Sequence, residues 1–362
     1  MKNKEYWFWL CNIHNIGCKK IQAILDMYKT PERAFHESEK GLELLNVLTD
    51  ADRHMIHKSK DSIRIKENYA KVLDKGIYFV SKEDNEYPEK LRNIFQPPYA
   101  LYVRGRLPKN HLGSVAVIGA RNCSEYGREV AKYFASELAK AGLQIMSGLA
   151  RGIDGYAHEG AMACGGSTYG VLGCGIDICY PIENFSLYMD MQKQGGVISE
   201  YGIGVSPKVG YFPMRNRIIS GLSDGILVVE AKEKSGSLIT VDIGLEQGKN
   251  IYALPGRMND PLSKGCNNLI KMGAKLVSGP EDILEDFFLN YENNEKDMKK
   301  NDKLLETKEK MVYDSLSFYP KHMNEIAGET NFSIHELSEI LLNLELKNYI
   351  KQVRKNYYVY IP

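Results

Sequence analysis

The sequence is poor in several features that would have assigned it quickly. Lys and Arg number 47 against 46 Asp and Glu, a formal net charge of +1. A polyanion would therefore have to be held by local clusters of arginine rather than by the surface as a whole. The seven cysteines are scattered and contain no C-x-x-C pair. That excludes a disulfide framework and a zinc site, and it points to a reducing, cytoplasmic compartment. The first residues, MKNKEYWFWLCNIHNIG, end their apolar stretch at His14 and Asn15, too early for a signal peptide or a span. No other long apolar run follows, so no membrane association is expected. Also missing are G-x-G-x-x-G after the first parallel strand and G-x-x-x-x-G-K-[ST] anywhere, which argues against NAD and against a P-loop ATPase. Neither a cofactor nor a metal is expected.

What is present is a chain of 362 residues with 43% hydrophobic content, enough for a large central domain with smaller appendages. Residues 1–75 read as helices, with Ile21, Ile24 and Leu25 at helical spacing. The turn Asn15 to Lys20 between two of them suits an αα-hairpin better than a nucleic-acid contact. Residues 76–113 carry the short strands 77–80 and 101–103 among prolines that forbid helix, and too many aromatics for a solvated linker. From 114 to 290 strands and helices alternate. Strands are expected at 115–118, 143–146, 168–172, 197–199, 226–229, 251–254 and 275–277, and helices at 125–141 and 155–164, the second capped by Asp154. The economical assignment is an α/β domain with a doubly wound, mainly parallel sheet. Residues 291–305 are charged and nearly free of apolar side chains, a linker. Residues 306–362 show three helices (306–318, 321–328 and 333–347, with Ser333 and Glu336 at capping-box spacing) and then a hairpin, the order of a winged helix.

Ligands of open parallel sheets bind beyond the carboxyl ends of the strands, so the loops there carry the chemistry. They hold Gly119, Arg121 and Ser124; Ser147, Gly148, Arg151 and Gly152; Gly173 and Gly175; Arg215, Asn216 and Arg217; and Ser235, Gly236 and Ser237. Glycine lets peptide N–H groups approach an oxyanion, and arginine offers a planar fork for phosphate oxygens, so the set suits a phosphodiester. Tyr126, Tyr156, Tyr180, Tyr201 and Phe212 lie in or beside the same loops and offer surfaces on which bases stack. Catalytic machinery is thin. His158 is a possible base, but a helical histidine beside a sheet is more often structural. Cys174 is a possible nucleophile, yet a small buried thiol fits better. Asp177 and Glu230 form either a hydrolytic pair or the ion-pair partners of Arg151, Arg215 and Arg217, the second being favoured.

The segments GARNCSEYG (119–127), SGLARGIDGYAHEGA (147–161), GVLGCGIDICYPIEN (170–184), FPMRNRIISGLSDGILVVEA (212–231), SGSLIT (235–240), ALPGR (253–257) and GCNNLIKMGA (265–274) together resemble the DNA-processing protein A family, also called DprA or Smf. The resemblance covers essentially the whole chain. It implies an extended Rossmann-like domain, an N-terminal helical domain of the SAM or helix-hairpin-helix type, and a C-terminal winged helix. It also implies a non-enzymatic homodimer that binds single-stranded DNA and loads the recombinase RecA on it in natural transformation. The family's pocket arginine falls on Arg121. Its lysine after the Tyr-Pro pair has no counterpart here, since Ile182 to Phe185 offer no cation before Lys193.

The winged helix itself favours a protein contact. Its third helix carries Glu336, Glu339 and Glu345 against Lys347 alone, which would repel duplex phosphates, although Lys351, Arg354 and Lys355 in the wing keep a nucleic-acid role open. Two other functions compete with single-strand binding. The Glu230 loop also resembles that of phosphoribohydrolases acting on nucleoside monophosphates. A dimerisation scaffold would instead use the segment around Leu269 and Ile270.

Overall fold

The structure, a computed structural model, describes residues 1–287, 307–316, 321–347 and 349–360; the expected linker at 291–305 lies outside them. The chain forms two compact units, Met1–Leu284 and Glu285–Pro362.

The first unit is built on a nine-stranded sheet in the order β1-β2-β6-β5-β4-β3-β7-β8-β9. Its parallel body comprises β3 (Ser114–Ile118), β4 (Gln144–Ser147), β5 (Thr168–Leu172), β6 (Gly196–Ser199), β7 (Gly225–Val228), β8 (Asn250–Ala253) and β9 (Lys275–Leu276). Side chains of β3 through β7 are buried along their whole length, as expected of strands covered by helices on both faces. Two strands of the proline-rich segment extend the sheet: β1 (Tyr78–Ser81) pairs antiparallel with β2 (Ala100–Gly105), which pairs antiparallel with β6. That segment is thus part of the sheet.

The N-terminal helices close over this edge. Trp7, Phe8, Leu10 and Ile24 share one core with Phe79, Tyr102, Tyr188 and Val197. The tie is also polar, because the Tyr102 hydroxyl donates to Asn12 Oδ1 at 2.8 Å. Lys20, in the helix after the Asn15–Gly17 turn, pairs with Asp52 of the helix Asp50–Lys58 at 2.7 Å.

Strand order sets the position of the crevice. From β3 the chain moves through β4, β5 and β6 to one side and then returns to place β7, β8 and β9 on the other. Loops leaving β3 and β7 therefore part in opposite directions at the switch point, where such sheets open to ligands.

The second unit contains helices Thr307–Ser315, Met323–Thr330 and Ile334–Leu346, with strands Lys321–His322, Ile350–Arg354 and Tyr357–Tyr360 in one small antiparallel sheet. Val312, Ile326, Leu337, Leu341 and Leu344 form its core. Ser333 caps the third helix by accepting from Glu336 N at 3.3 Å, while the Glu336 carboxylate pairs with Lys308 at 2.6 Å.

Candidate functional site

Two peptide-chain ties pin the loop after β3 to the loop after β7. Ala120 N donates to Glu230 O at 2.8 Å, and Ser124 N donates to Glu230 Oε2 at 2.8 Å. The Ser124 hydroxyl donates to Glu230 Oε1 and also accepts from Gly127 N at 3.0 Å, capping the helix Glu125–Lys140. Glu230, only 4% exposed, is thus spent on holding a loop. Between these anchors Arg121 and Asn122 are left exposed.

Arg121 lies over the ring of Phe212, 5.7 Å from its centroid. Phe212 in turn meets Tyr180 at 5.6 Å between centroids. Gly173 makes room for this stack, since a Cβ there would come within 2.8 Å of Phe212 Cδ1. The three side chains line a pocket of about 260 Å³ with Gly148, Arg151 and Arg215. The pocket opens into a wider cleft of about 590 Å³ that also takes in Gly119, Asn216, Lys232, Lys234 and the Ser235–Ser237 turn. Ser235 caps the helix Gly236–Glu246 there, accepting from Ser237 N.

The three arginines differ in state. Arg121 is exposed. Arg151 is exposed and pairs with Glu183, itself open to solvent, so solvent screens the pair and it can be exchanged for a ligand anion. Arg215 is 6% exposed. Its Nη1 donates to Gly148 O at 2.8 Å and to Val171 O, and its Nε donates to Asn216 Oδ1 at 3.2 Å. Burial lowers this guanidinium to about 10, against the opposing pull of Asp154, so it stays cationic at neutral pH. Asp154 is not the helix cap expected from sequence: the cap is Gly152, with φ of +76°, and Asp154 sits in the first turn. Its carboxylate accepts from Gly148 N at 3.0 Å instead. Gly148 is therefore wedged between the two ions, since a Cβ there would sit 2.6 Å from both Arg215 Nη2 and Asp154 Oδ2.

Several residues named from sequence lie elsewhere. Arg217 faces away from the pocket, buried, with Nη2 2.7 Å from both oxygens of Glu200. The reason is spacing: positions i and i+2 of a helix point to different sides, so Arg215 and Arg217 cannot grip one phosphate group. Ser147 is fully buried and donates to Val117 O at 2.6 Å. Gly175 N donates to Val205 O at 2.7 Å and ties down a neighbouring loop. Leu269 is buried in this unit's own core, with Ile270 packed against it, so the Leu269 side chain offers no surface to a second copy. Nor do Asp177 and Glu230 pair with the arginines. Asp177 accepts from Gly204 N at 2.8 Å and faces Lys75, while Glu183, Asp154 and Glu200 supply the countercharges. Lys232 and Lys234, absent from the residues expected at the site, bring two cations to the cleft from the loop that ends in Ser235–Ser237.

The candidate catalysts have structural roles. Thr168 Oγ1 donates to Ile145 O at 3.0 Å, so its contact with His158 Nδ1 at 2.7 Å makes Nδ1 the donor and leaves the buried Nε2 without a partner among the described residues. Burial, with Arg215 nearby, pushes His158 down to about 3. Cys174 is 1% exposed, its thiol raised to about 11 by burial, far from a thiolate at neutral pH.

The sequence matches the family of DNA recombination-mediator protein A over residues 78–288 and the DprA winged helix domain over residues 297–354. The chain belongs to this family. It is 41% identical over 218 residues to the DNA processing protein DprA of Bacillus subtilis, covering 60% of this chain and 73% of that protein. Among solved structures, DNA processing protein A of Streptococcus pneumoniae superposes with a TM-score of 0.68 at 34% identity, covering 79% of this chain and 98% of that one. A Helicobacter pylori family member, whose structure concerns its single-stranded DNA binding mode, gives a TM-score of 0.53 at 29% identity over 59% of this chain and 96% of that one. The shared mixed α/β fold with a winged helix bears out the family resemblance. Among the described residues no helix is long and apolar enough to cross a membrane.

Proposed function

We propose that this chain binds single-stranded DNA without sequence preference in the Arg121–Phe212 pocket and the cleft beside it, and that it hands the strand to the RecA recombinase during DNA uptake and recombination. One observation carries the reading. An exposed guanidinium rests on an aromatic stack, Arg121 over Phe212 beside Tyr180, in a recess backed by the fixed cation of Arg215. Phosphates need charge-assisted donors, and unpaired bases need planar faces, each worth about 1–3 kcal/mol per base. Both are present within one pocket, and neither distinguishes one base from another.

The role is one of binding rather than turnover. Glu230, the carboxylate a phosphoribohydrolase would need, is committed to Ser124, and His158 and Cys174 are held in their neutral forms. The protein acts as a homodimer in the cytoplasm. Exposed Met272 and Leu276, the latter in edge strand β9, offer apolar area for a second copy. The winged helix serves a protein contact, because Glu336, Glu339 and Glu345 burden its third helix with negative charge.

Fluorescence anisotropy of labelled oligo-dT across a salt series tests the proposal. Affinity should fall linearly with salt on logarithmic axes, with a slope of roughly −0.7 per phosphate neutralised. Affinity that is absent at low salt, or independent of salt, would overturn it.

A further inference from the structure

Pro213, in the first turn of the helix Tyr211–Gly221, borders two recesses: the wide cleft already described and a second one of about 340 Å³. The second is walled by the loop Asn93–Gln96, by Met214 and Arg217, and by Ile243 to Lys249. Its polar groups are incompletely used. Arg217, 6% exposed, spends Nη2 on Glu200, while its Nε and Nη1, both shut off from solvent, have no hydrogen-bond partner among the described residues. Among the described residues the Lys249 ammonium makes no hydrogen bond or ion pair. Asp224, the acid whose charge acts on it, is already bound to Lys90 at 2.6 Å, and burial lowers the Lys249 pKa. The one carboxylate in the lining, Glu246, is exposed to solvent. At the mouth stands Phe95, 76% exposed, a large apolar ring facing water.

The unpartnered Lys249 ammonium calls for an anion, and the open Phe95 ring in the same lining calls for a planar apolar group. A nucleotide unit supplies both. Pro213 lines both recesses, so the two stand on either side of one residue, which favours a further unit of the same strand over a free nucleotide. We propose that the recess holds the next stretch of the bound single strand, with a phosphate at Lys249 and a base against Phe95. The inference rests on the single-strand reading of the Arg121 pocket and lengthens the DNA path across the first turn of that helix.

The test uses the full chain and labelled oligo-dT of two lengths, about 6 and about 20 nucleotides. Lys249→Glu and Phe95→Ala should each leave the short strand bound within about twofold and weaken the long strand by roughly tenfold, and Lys249→Glu should lower the long-strand salt slope by about 0.7. A long strand carrying 5-iododeoxyuridine should cross-link on irradiation to Phe95 in the unsubstituted protein. Unchanged long-strand affinity in both variants, equal losses on both lengths, or no cross-link within residues 93–96 would overturn the inference. Arg121→Ala, run alongside, should weaken both lengths. If it weakens neither, the first pocket itself is wrongly assigned, which is a separate failure.

Discussion

Arg121 and Phe212 meet face-on, guanidinium over ring at 5.7 Å, although 91 positions separate them in sequence. The contact depends on chain topology. Arg121 leaves β3 at the switch point, and Phe212 opens the helix that leads into β7, the strand on the other side of that point. Everything charged and aromatic in the pocket gathers around this pair.

Gly148 is the first place to perturb that arrangement. A methyl group there would press on both Arg215 and Asp154, so Gly148→Ala should destabilise the protein by about 1–3 kcal/mol, the range for overpacking, and loosen the pocket. Denaturant unfolding together with oligo-dT titration checks both effects.

Glu230→Gln should act on stability. The amide can accept from Ser124 but forfeits the charge-assisted bonds from its N–H and hydroxyl, a loss of about 1–3 kcal/mol. Neither the parent protein nor the variant should release free base from nucleoside monophosphates. Chromatography of the reaction mixture measures the second outcome, and turnover abolished by the substitution would mark an enzyme.

His158 gives the pH dependence a definite sign. Its folded-state value, about 3, lies below the ordinary 6.5 because burial disfavours the cation. Between those values the unfolded chain binds the extra proton, so stability rises with pH. The contribution is complete above about 6.5 and is lost as pH falls toward 3. Thermal unfolding from pH 7 down to pH 4 should therefore show a steeper loss of Tm for the parent than for His158→Gln.

Much of this was legible in the residues themselves. Runs such as Ile226 to Val229, with no polar residue, located the parallel strands to within a residue, because burial on both faces leaves no choice of side chain. The glycine- and arginine-rich loops marked the rim of the sheet where the pocket and cleft lie. Less legible was what each side chain does at that rim. Arg215 and Arg217 read as a pair, yet helical geometry turns them to different sides, a separation that their i, i+2 spacing already contained. Asp154 read as a cap from local pattern alone. Its true partner, the amide of Gly148, and the neighbouring Arg215 come from a strand end and a distant helix, which only tertiary packing brings together. Lys232 and Lys234 were visible as residues, but nothing local separated them from other surface lysines.

Substitution of Arg121 tests the central claim most directly. The side chain is exposed and caps nothing, so Arg121→Ala should leave Tm within about 1 °C of the parent, as surface changes do. It should nevertheless weaken oligo-dT binding by roughly tenfold or more at fixed salt, with a shallower salt dependence. Unchanged affinity in a protein of unchanged stability would contradict the account.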